Sequence, residues 1–356
     1  MGAFSDAVQS SASPKKLVNL LRGWPNTSLL PTQLLDRATH NVLKNRAVAY
    51  PAMCYGPDAG DPRLLKHVAH WLTSFYQPAD AITEDRICIT GGASQNLACI
   101  LQVYSDPVYT RNVWIVAPAY MLSFRIFEDA GFSKKLRAVP EDNQGIDIAF
   151  LRQQIRTSEH NAKENGNNKP AKYDALIVTD DVYDFLQWPS SLASESRSLE
   201  KAVMPRIVDI DRYLDGGAER KDGDGFGNAV SNGSFSKICG PGLRTGWCEA
   251  GFRCTNACFV AETLETGELQ RFVYERLQPS YCKRYRAMVD AIHKELVPLG
   301  VRLPQTDREV VGGYFIWLTL PDSVDGATLA QRAKDEQNVV VAQVSTEGAL
   351  VSVSGF

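Results

Sequence analysis

Short runs of β-branched and other apolar residues alternate with helix-forming stretches between residues 86 and 250, and this alternation constrains the fold most strongly. Several of the runs are continuous, which is typical of strands that are covered on both faces. Strands that alternate with helices predict an α/β fold with a mostly parallel sheet. The predicted strands are Arg86–Thr90, Val113–Ala117, Ala175–Thr179, Arg206–Ile210 and Gly246–Ala250.

The stretches between these strands carry helix signals. Asp61 is suited to cap a helix that starts at Pro62, because its carboxylate accepts from free N–H groups and proline fits the first turn. The other predicted elements of this region are helices over 94–104 and 121–130 and surface loops over the polar stretches 158–172 and 215–233.

Beyond about residue 260 the pattern changes to longer helices, which indicates a second, smaller α/β domain. The predicted elements there are helices over 262–276 and 280–296 separated at Pro279, a strand over 313–320, a helix near 327–336 and an apolar run over 339–344.

Charge, hydropathy and cysteine usage exclude several classes of protein. The sequence has 38 Lys and Arg against 41 Asp and Glu, a net charge of -3, which is not the balance of a polybasic nucleic-acid binder. No run approaches the roughly 18 apolar residues of a membrane span, and the start lacks the pattern of a secretory signal. The 8 cysteines include no Cys-x-x-Cys pair. We therefore expect a cytoplasmic protein without a metal site, a nucleic-acid partner or a membrane partner.

The segment Ser234–Trp247 places a lysine among hydroxyls, glycines and an arginine, just before an apolar strand. Lys237 has the amine that a Schiff base needs. Donors suited to a phosphate lie nearby in the sequence at Ser234, Ser236 and Arg244. A lysine imine beside an anchored phosphate is what pyridoxal 5'-phosphate requires. The alternative interpretation is a Gly/Pro-rich loop that carries a surface lysine.

Three other segments follow predicted strands, where α/β sheets place ligand-binding groups. Asp180 is placed to pair with a pyridine nitrogen and Tyr183 to donate to a ring oxygen, although an acidic loop that caps the next helix is the alternative. The turn Gly92–Ser94 opens a helix whose N–H groups and dipole favour a phosphate. Tyr120 follows a third strand and is suited to stack on a cofactor ring, although a core tyrosine is the commoner role.

The order of these motifs resembles the class I/II aminotransferases, which are fold-type I pyridoxal-phosphate enzymes, and is most similar to fungal 2-aminoadipate and aromatic aminotransferase-like proteins. The resemblance runs from about Asn19 to about Val344. It implies a mostly parallel central sheet with helices on both faces, and transfer of an amino group from an α-amino acid to a 2-oxo acid. It assigns three catalytic residues, Lys237 as the Schiff-base lysine, Asp180 at the pyridine nitrogen and Tyr183 at the ring oxygen. The other cofactor-binding residues that it implies are Tyr55, Gly92, Ala93, Ser94, Tyr120, Ser234, Ser236 and Arg244.

The resemblance also implies an assembly and a domain division. Tyr55 matches a tyrosine that members of the family lend to the phosphate site of the neighbouring subunit, so a homodimer with shared active sites is expected. The predicted domains are an N-terminal arm with a substrate loop (1–45), a large cofactor-binding domain (46–278) and a small, incomplete C-terminal domain (279–356).

Two features expected of the family are absent. No Asn-Pro dipeptide occurs in the chain, and the region between Asp147 and Tyr173, where its strand should fall, is predicted to be shortened and to lack a sheet strand. The family binds the substrate carboxylate through a late arginine, whereas the last arginine here, Arg332, lies in a helical pattern. The end of the chain, from Ala349, is predicted to lack a closing strand. These departures leave two alternatives open, a lyase on the same fold and a catalytically impaired binding or regulatory protein.

Overall fold

The computed structural model divides into two units by the packing of its Cα atoms. The larger unit comprises 25–286 and 305–313, and the smaller comprises 1–24, 287–304 and 314–356. The predicted functional division at residues 45 and 278 stays a prediction. The residues that the structure describes are 15–21, 23–164, 175–191, 199–214, 217, 227–250, 259–304, 308–346 and 348–353.

Helices and strands alternate along the described chain. The helices are α1 (Thr32–Lys44), α2 (Arg46–Ala52), α3 (Pro62–Tyr76), α4 (Ala93–Tyr104), α5 (Met121–Asp129), α6 (Ile148–Glu164), α7 (Ile207–Asp211), α8 (Phe259–Glu265), α9 (Glu268–Phe272), α10 (Gln278–Glu295) and α11 (Gly326–Gln337). The strands are β1 (Val18–Asn19), β2 (Ile87–Thr90), β3 (Val113–Ala117), β4 (Leu136–Asp142), β5 (Gly145–Ile146), β6 (Ile177–Asp180), β7 (Gln187–Pro189), β8 (Ala229–Ser234), β9 (Gly246–Glu249), β10 (Val310–Gly312), β11 (Ile316–Thr319), β12 (Val339–Val340), β13 (Ala342–Thr346) and β14 (Gly348–Val353).

The central sheet of the larger unit has four strands in the order β2-β9-β8-β6. Strand β9 is antiparallel to both of its neighbours, whereas β8 and β6 are parallel. Strands β2, β8 and β6 therefore run in one direction and β9 alone is reversed. A separate sheet joins β3 and β4 in parallel and adds β5 as a short antiparallel hairpin. The predicted α/β fold with a mostly parallel sheet is confirmed.

Within the part of the chain that the structure describes, β6 and β3 belong to separate sheets and no strand joins them. Strand β6 pairs with β8 and β3 pairs with β4, so one edge of each has no partner among the described strands. Ile177 on the edge strand β6 is 48% exposed. The region expected to carry the missing strand begins as helix α6 and continues into residues 165–174, which lie outside the described residues.

Helix α3 anchors the region that carries the predicted site. The Asp61 side chain accepts a hydrogen bond from the backbone N–H of Leu64 at 2.9 Å, and Pro62 is the first helical residue, as predicted. The apolar face of the helix is buried, and Trp71 stacks on Phe185 with the ring centroids 4.0 Å apart. Because Phe185 lies two residues after Tyr183, this packing fixes the turn that follows β6.

The sequence-based prediction of a loop over 215–233 is wrong at its C-terminal end. Residues Ala229–Ser234 form β8, in which every residue is buried. Apart from Val230 the strand is made of small or polar residues, so it lacks the apolar run from which a buried strand is recognised. Its polar side chains have partners instead: Asn232 is hydrogen-bonded to Asn96, and Ser231 to Asp181.

The strand predicted over Arg206–Ile210 is also wrong, because Ile207–Asp211 is the short helix α7. Arg206 and Asp209 form an ion pair at 2.9 Å, a spacing of three residues that a helix brings onto one face. An apolar run this short does not distinguish a strand from a helix by periodicity.

Three further boundaries differ from the predictions. Residues 158–164 continue helix α6 and are not a loop. Pro279 does not interrupt the late helices, since a π-helical segment, Val273–Leu277, runs directly into α10 and continues the helix past the proline; the break falls at 266–267. Gly348–Val353 forms β14, which lies between β11 and β13, so the predicted absence of a closing strand is wrong.

Candidate active site

The structure brings Asp180, Tyr183 and Lys237 together at one edge of the central sheet. Asp180 is the last residue of β6 and is paired with Asn232 of the parallel strand β8. Lys237 follows β8 in a short 3-10 helix. Because both parallel strands end at the same edge, their following segments meet there. The Lys237 Nζ lies over the Tyr183 ring, 5.4 Å from its centroid.

The charges in this cluster influence one another. Burial raises the pKa of the Asp180 carboxyl to about 6; the Asp181 charge raises it further, and Lys237 opposes the shift. Burial lowers the pKa of Lys237, and Asp180 opposes that change. Burial and the Asp180 charge raise the pKa of Tyr183 and that of Tyr120. A lysine and a carboxylate thus share one partly desolvated site, which is common where side chains do chemistry.

Two chain segments meet beside the cluster and form a cradle of hydrogen-bond donors. Ser234 and Ser236 are hydrogen-bonded through their hydroxyls at 2.9 Å. Arg244 donates from Nη1 to the Ser236 hydroxyl at 3.4 Å and from Nη2 to the carbonyl oxygen of Gly91 at 2.9 Å. The guanidinium therefore joins the segment after β8 to the turn after β2.

The turn after β2 depends on glycine at position 92. Gly92 is the N-cap of α4 with a φ of 96°, a conformation that residues with a side chain rarely adopt. A Cβ atom there would lie 2.5 Å from the Arg244 Nη2. The first helical residues, Ala93 and Ser94, follow with their N–H groups at the positive end of the helix dipole. This is the arrangement that binds phosphate in many α/β proteins.

The remaining predicted residues are differently placed. Tyr120 lies at the N-terminus of α5 with 55% of its surface exposed, within electrostatic reach of Asp180. Tyr55 is fully exposed, and none of the site's described contacts involves it.

The sequence-based prediction missed a buried polar layer beneath the cluster. The Asn96 Nδ2 donates to the Asn232 Oδ1 at 2.8 Å, and the Asn232 Nδ2 donates to the carbonyl oxygen of Ala93 at 3.1 Å. On the opposite face of β8, the Ser231 hydroxyl is hydrogen-bonded to Asp181. The available signal was Asn96, a polar residue among the apolar residues of helix α4. A single sequence does not reveal that its partner is Asn232.

A second missed feature is a buried ionic network around Arg206. Its guanidinium pairs with Asp209 at 2.9 Å and with Glu249 at 2.7 Å, and it lies over the Tyr76 ring at 4.0 Å. Burial raises the pKa of Glu249, and the charge of Arg206 opposes this shift. The network lies on the face of the sheet that carries Ser231, to whose hydroxyl Arg206 also donates at 3.5 Å.

The described residues contain neither a metal-binding cluster nor a membrane-spanning helix. No cluster of three or more His, Cys, Asp or Glu side chains there is arranged to bind a metal ion. None of the described helices combines the length and the apolar character that crossing a bilayer requires.

Comparison with known proteins adds independent observations. No family model matches the chain. An uncharacterized protein of Saccharomyces cerevisiae is 27% identical over 93% of this chain and 88% of its own length. The aromatic-amino-acid aminotransferase 1 of Thermococcus litoralis is 24% identical over 89% of this chain and 77% of its own. The structure of Pyrococcus horikoshii kynurenine aminotransferase in complex with PMP has a TM-score of 0.70 and 21% identity, over 99% of this chain and 92% of the other.

The alignment with the yeast protein also bears on the predicted shortening. It extends over 405 positions, which exceeds the 356 residues of this chain. The yeast protein therefore has residues inside the aligned region that this chain lacks.

Proposed function

We propose that this chain, a relative of the pyridoxal-phosphate-dependent aminotransferases with their fold-type I architecture, transfers an amino group from an α-amino acid to a 2-oxo acid. The observation that carries the proposal is the meeting of Lys237, Asp180 and Tyr183 at one sheet edge, beside the donor cradle of Arg244. Each of these groups has a counterpart in the chemistry of one small phosphorylated pyridine aldehyde.

The residues present fit pyridoxal 5'-phosphate. The start of α4 offers backbone N–H groups beside a glycine, and Arg244 and the two serine hydroxyls offer further donors, a set that suits a phosphate dianion. Asp180 would hold a protonated ring nitrogen, and Tyr183 would donate to the ring oxygen. When bound, the cofactor supplies an aldehyde that bonds to amines and a cationic ring that withdraws electrons from the neighbouring carbon.

Lys237 is the proposed base. Desolvation lowers the pKa of its ammonium group, so a larger fraction of the amine is neutral than for a lysine in water. Its Nζ would accept the α-proton of an amino acid and would return a proton at the next step. The Asp180 carboxylate would stabilise the positive charge of a protonated ring nitrogen.

A homodimer with shared active sites is part of the proposal. Tyr55 is fully exposed, and so are large fractions of Met53 (70%) and Tyr50 (59%) on the same segment. Leu122, on α5, is 63% exposed. Exposed apolar and aromatic side chains at this density are typical of surfaces that another protein covers. In the dimer, Tyr55 would supply a hydroxyl to the cradle of the other subunit.

The test is a two-substrate assay on the purified protein loaded with pyridoxal 5'-phosphate. A panel of amino acids is supplied with a 2-oxo acid acceptor, and both the new 2-oxo acid and the new amino acid are measured. Lys237→Ala should abolish both products, whereas Lys66→Ala, on the exposed face of α3, should change neither. A product formed from the amino donor without consumption of the acceptor would indicate a lyase instead.

A second candidate is a protein that binds the cofactor without transamination. Two observations favour it: the chain has no Asn-Pro dipeptide, and no described strand joins the sheet of β6 to the sheet of β3. The asparagine of that dipeptide would otherwise contact the ring oxygen, leaving Tyr183 as the remaining donor. Retained cofactor absorbance with no reaction across the panel would support this second candidate.

A further inference from the structure

We propose that Asn96 and Asn232 form a clamp that positions the two halves of the phosphate cradle relative to each other. The proposal rests on the proposed function, since it assumes that the cradle holds the phosphate of pyridoxal 5'-phosphate. Both asparagines are buried, with 4% and 3% of their surfaces exposed. They are positioning residues, because neither is assigned a contact with the cofactor.

The two halves of the cradle come from strands that are not neighbours. One half, Gly92–Ser94, follows β2, and the other, Ser234–Lys237, begins at the last residue of β8. Strand β9 lies between β2 and β8, so the two strands are separated by about 10 Å, twice the spacing of adjacent strands. The sheet therefore sets the separation of the halves only through an intervening strand.

The clamp crosses this separation directly. The Asn96 Nδ2 donates to the Asn232 Oδ1 at 2.8 Å, and the Asn232 Nδ2 donates to the carbonyl oxygen of Ala93 at 3.1 Å. The backbone N–H of Asn96 also donates to the carbonyl oxygen of Gly92 at 3.0 Å. One side chain of β8 is thus bound to the first turn of α4 at two points.

The position of Asn232 on its strand links the clamp to the serines. Side chains alternate between the faces of a strand, so Asn232 and Ser234 lie on one face and Ser231 on the other. The contacts agree, because Ser231 is hydrogen-bonded to Asp181 on the opposite side of the sheet. A movement of Asn232 relative to α4 would therefore carry Ser234 away from Gly92.

This geometry predicts a selective defect. Loss of the clamp should displace the N–H groups of Gly92–Ser94 from the serines while leaving Lys237, Asp180 and Tyr183 in place, because those three groups depend on the pairing of β6 with β8. Pyridoxal has the aldehyde and the ring but no phosphate, so its binding depends on Lys237, Asp180 and Tyr183 and not on the phosphate donors. Comparing the two ligands therefore separates a positioning role from a general loss of structure.

The experiment measures equilibrium binding of pyridoxal 5'-phosphate and of pyridoxal to the full-length protein by visible absorbance. In Asn96→Leu, which has similar volume but no donor, we expect phosphate-ester binding about tenfold weaker or more, and pyridoxal binding changed by less than about twofold. Asn96→Ser, too short to reach Asn232, serves as a second variant if the first does not fold. Gln278→Leu is the matched control. It removes a buried amide that bonds the carbonyl oxygens of Phe185 and Leu199, and it should lower the melting temperature without changing the ratio of the two affinities.

Each outcome decides the matter. A selective loss for the phosphorylated ligand supports the clamp. An equal loss for both ligands, or a loss for neither, overturns it. If the wild-type protein binds neither ligand, the proposed function is contradicted, and the clamp proposal that rests on it is overturned as well.

Discussion

The Lys237 Nζ lies over the face of the Tyr183 ring, 5.4 Å from its centroid, although 54 positions separate the two residues in the chain. The parallel pairing of β6 and β8 produces this relationship, since Tyr183 follows one strand and Lys237 the other. Asp180 lies within electrostatic reach of both groups. The account of function depends on these three side chains acting on one ligand.

Replacement of Asp180 should affect catalysis more than folding. We expect Asp180→Asn to lower the rate of amine transfer by about 10²–10³-fold, because the ring nitrogen loses its fixed negative partner. The pKa of Asp180 is raised to about 6, so the ionised fraction of this side chain increases as the pH rises from 5 to 7. The affinity of the wild-type protein for the cofactor should increase over the same range. Affinity measured over this range should show no such rise in the variant. A variant with the wild-type profile would contradict the role.

Replacement of Arg244 should separate charge from geometry. Arg244→Lys keeps the positive charge but loses the planar fork that reaches both Ser236 and Gly91. We expect the affinity for pyridoxal 5'-phosphate to fall by about tenfold, with little change for pyridoxal, when both are measured by absorbance titration. Equal affinities in the variant and the wild type would place the phosphate elsewhere.

Asp184 should make the stability of the protein depend on pH. Burial and the neighbouring Asp181 charge raise the pKa of Asp184 to about 7, while its hydrogen bond with Tyr76 opposes the shift. Because the folded state holds this proton more tightly than the unfolded state, stability is highest below about pH 4 for this group and is lost as the pH rises through 7. The free energy of unfolding should therefore fall with rising pH by about 1–3 kcal/mol less in Asp184→Asn than in the wild type.

The measurement for Asp184 is the melting temperature at pH 5 and pH 8. The difference between the two values should be smaller in Asp184→Asn than in the wild type. Asp325→Asn is a control that should leave the difference unchanged, because hydrogen bonds from Thr328 lower the pKa of this exposed capping carboxylate and it is ionised at both pH values. An unchanged difference in Asp184→Asn would show that Asp184 titrates normally.

The proposed dimer predicts complementation between inactive subunits. Tyr55→Ala and Lys237→Ala should each be inactive or strongly impaired alone. In a refolded mixture, a Lys237→Ala subunit would lend its intact Tyr55 to the site of a Tyr55→Ala subunit, so about a quarter of the sites should recover with random pairing. Activity of the mixture that equals the mean of the two variants would indicate that Tyr55 serves its own chain or no site.

Elements with a local signal were predictable, and elements specified by distant partners were not. Strand Val113–Ala117 and the start of α3 at Pro62 match their predictions because an apolar run and a capping aspartate are visible in the sequence. Strand β8 was missed because Ser231 and Asn232 satisfy their hydrogen bonds through residues far away in the chain. The clamp was not predicted for the same reason, because Asn96 and Asn232 are 136 positions apart in the chain. The meeting of Asp180 with Lys237 was predicted from motif order, since strand ends cluster at one edge of a parallel sheet.

The most direct test of the central claim is a visible absorbance titration of the purified protein with pyridoxal 5'-phosphate, followed by addition of amino acids. The account predicts an absorbance band of protein-bound cofactor that shifts when a substrate amino acid is added, and that is missing in Lys237→Ala but present in Lys66→Ala. A wild-type protein without this band, or a Lys237→Ala variant that retains it, would contradict the account.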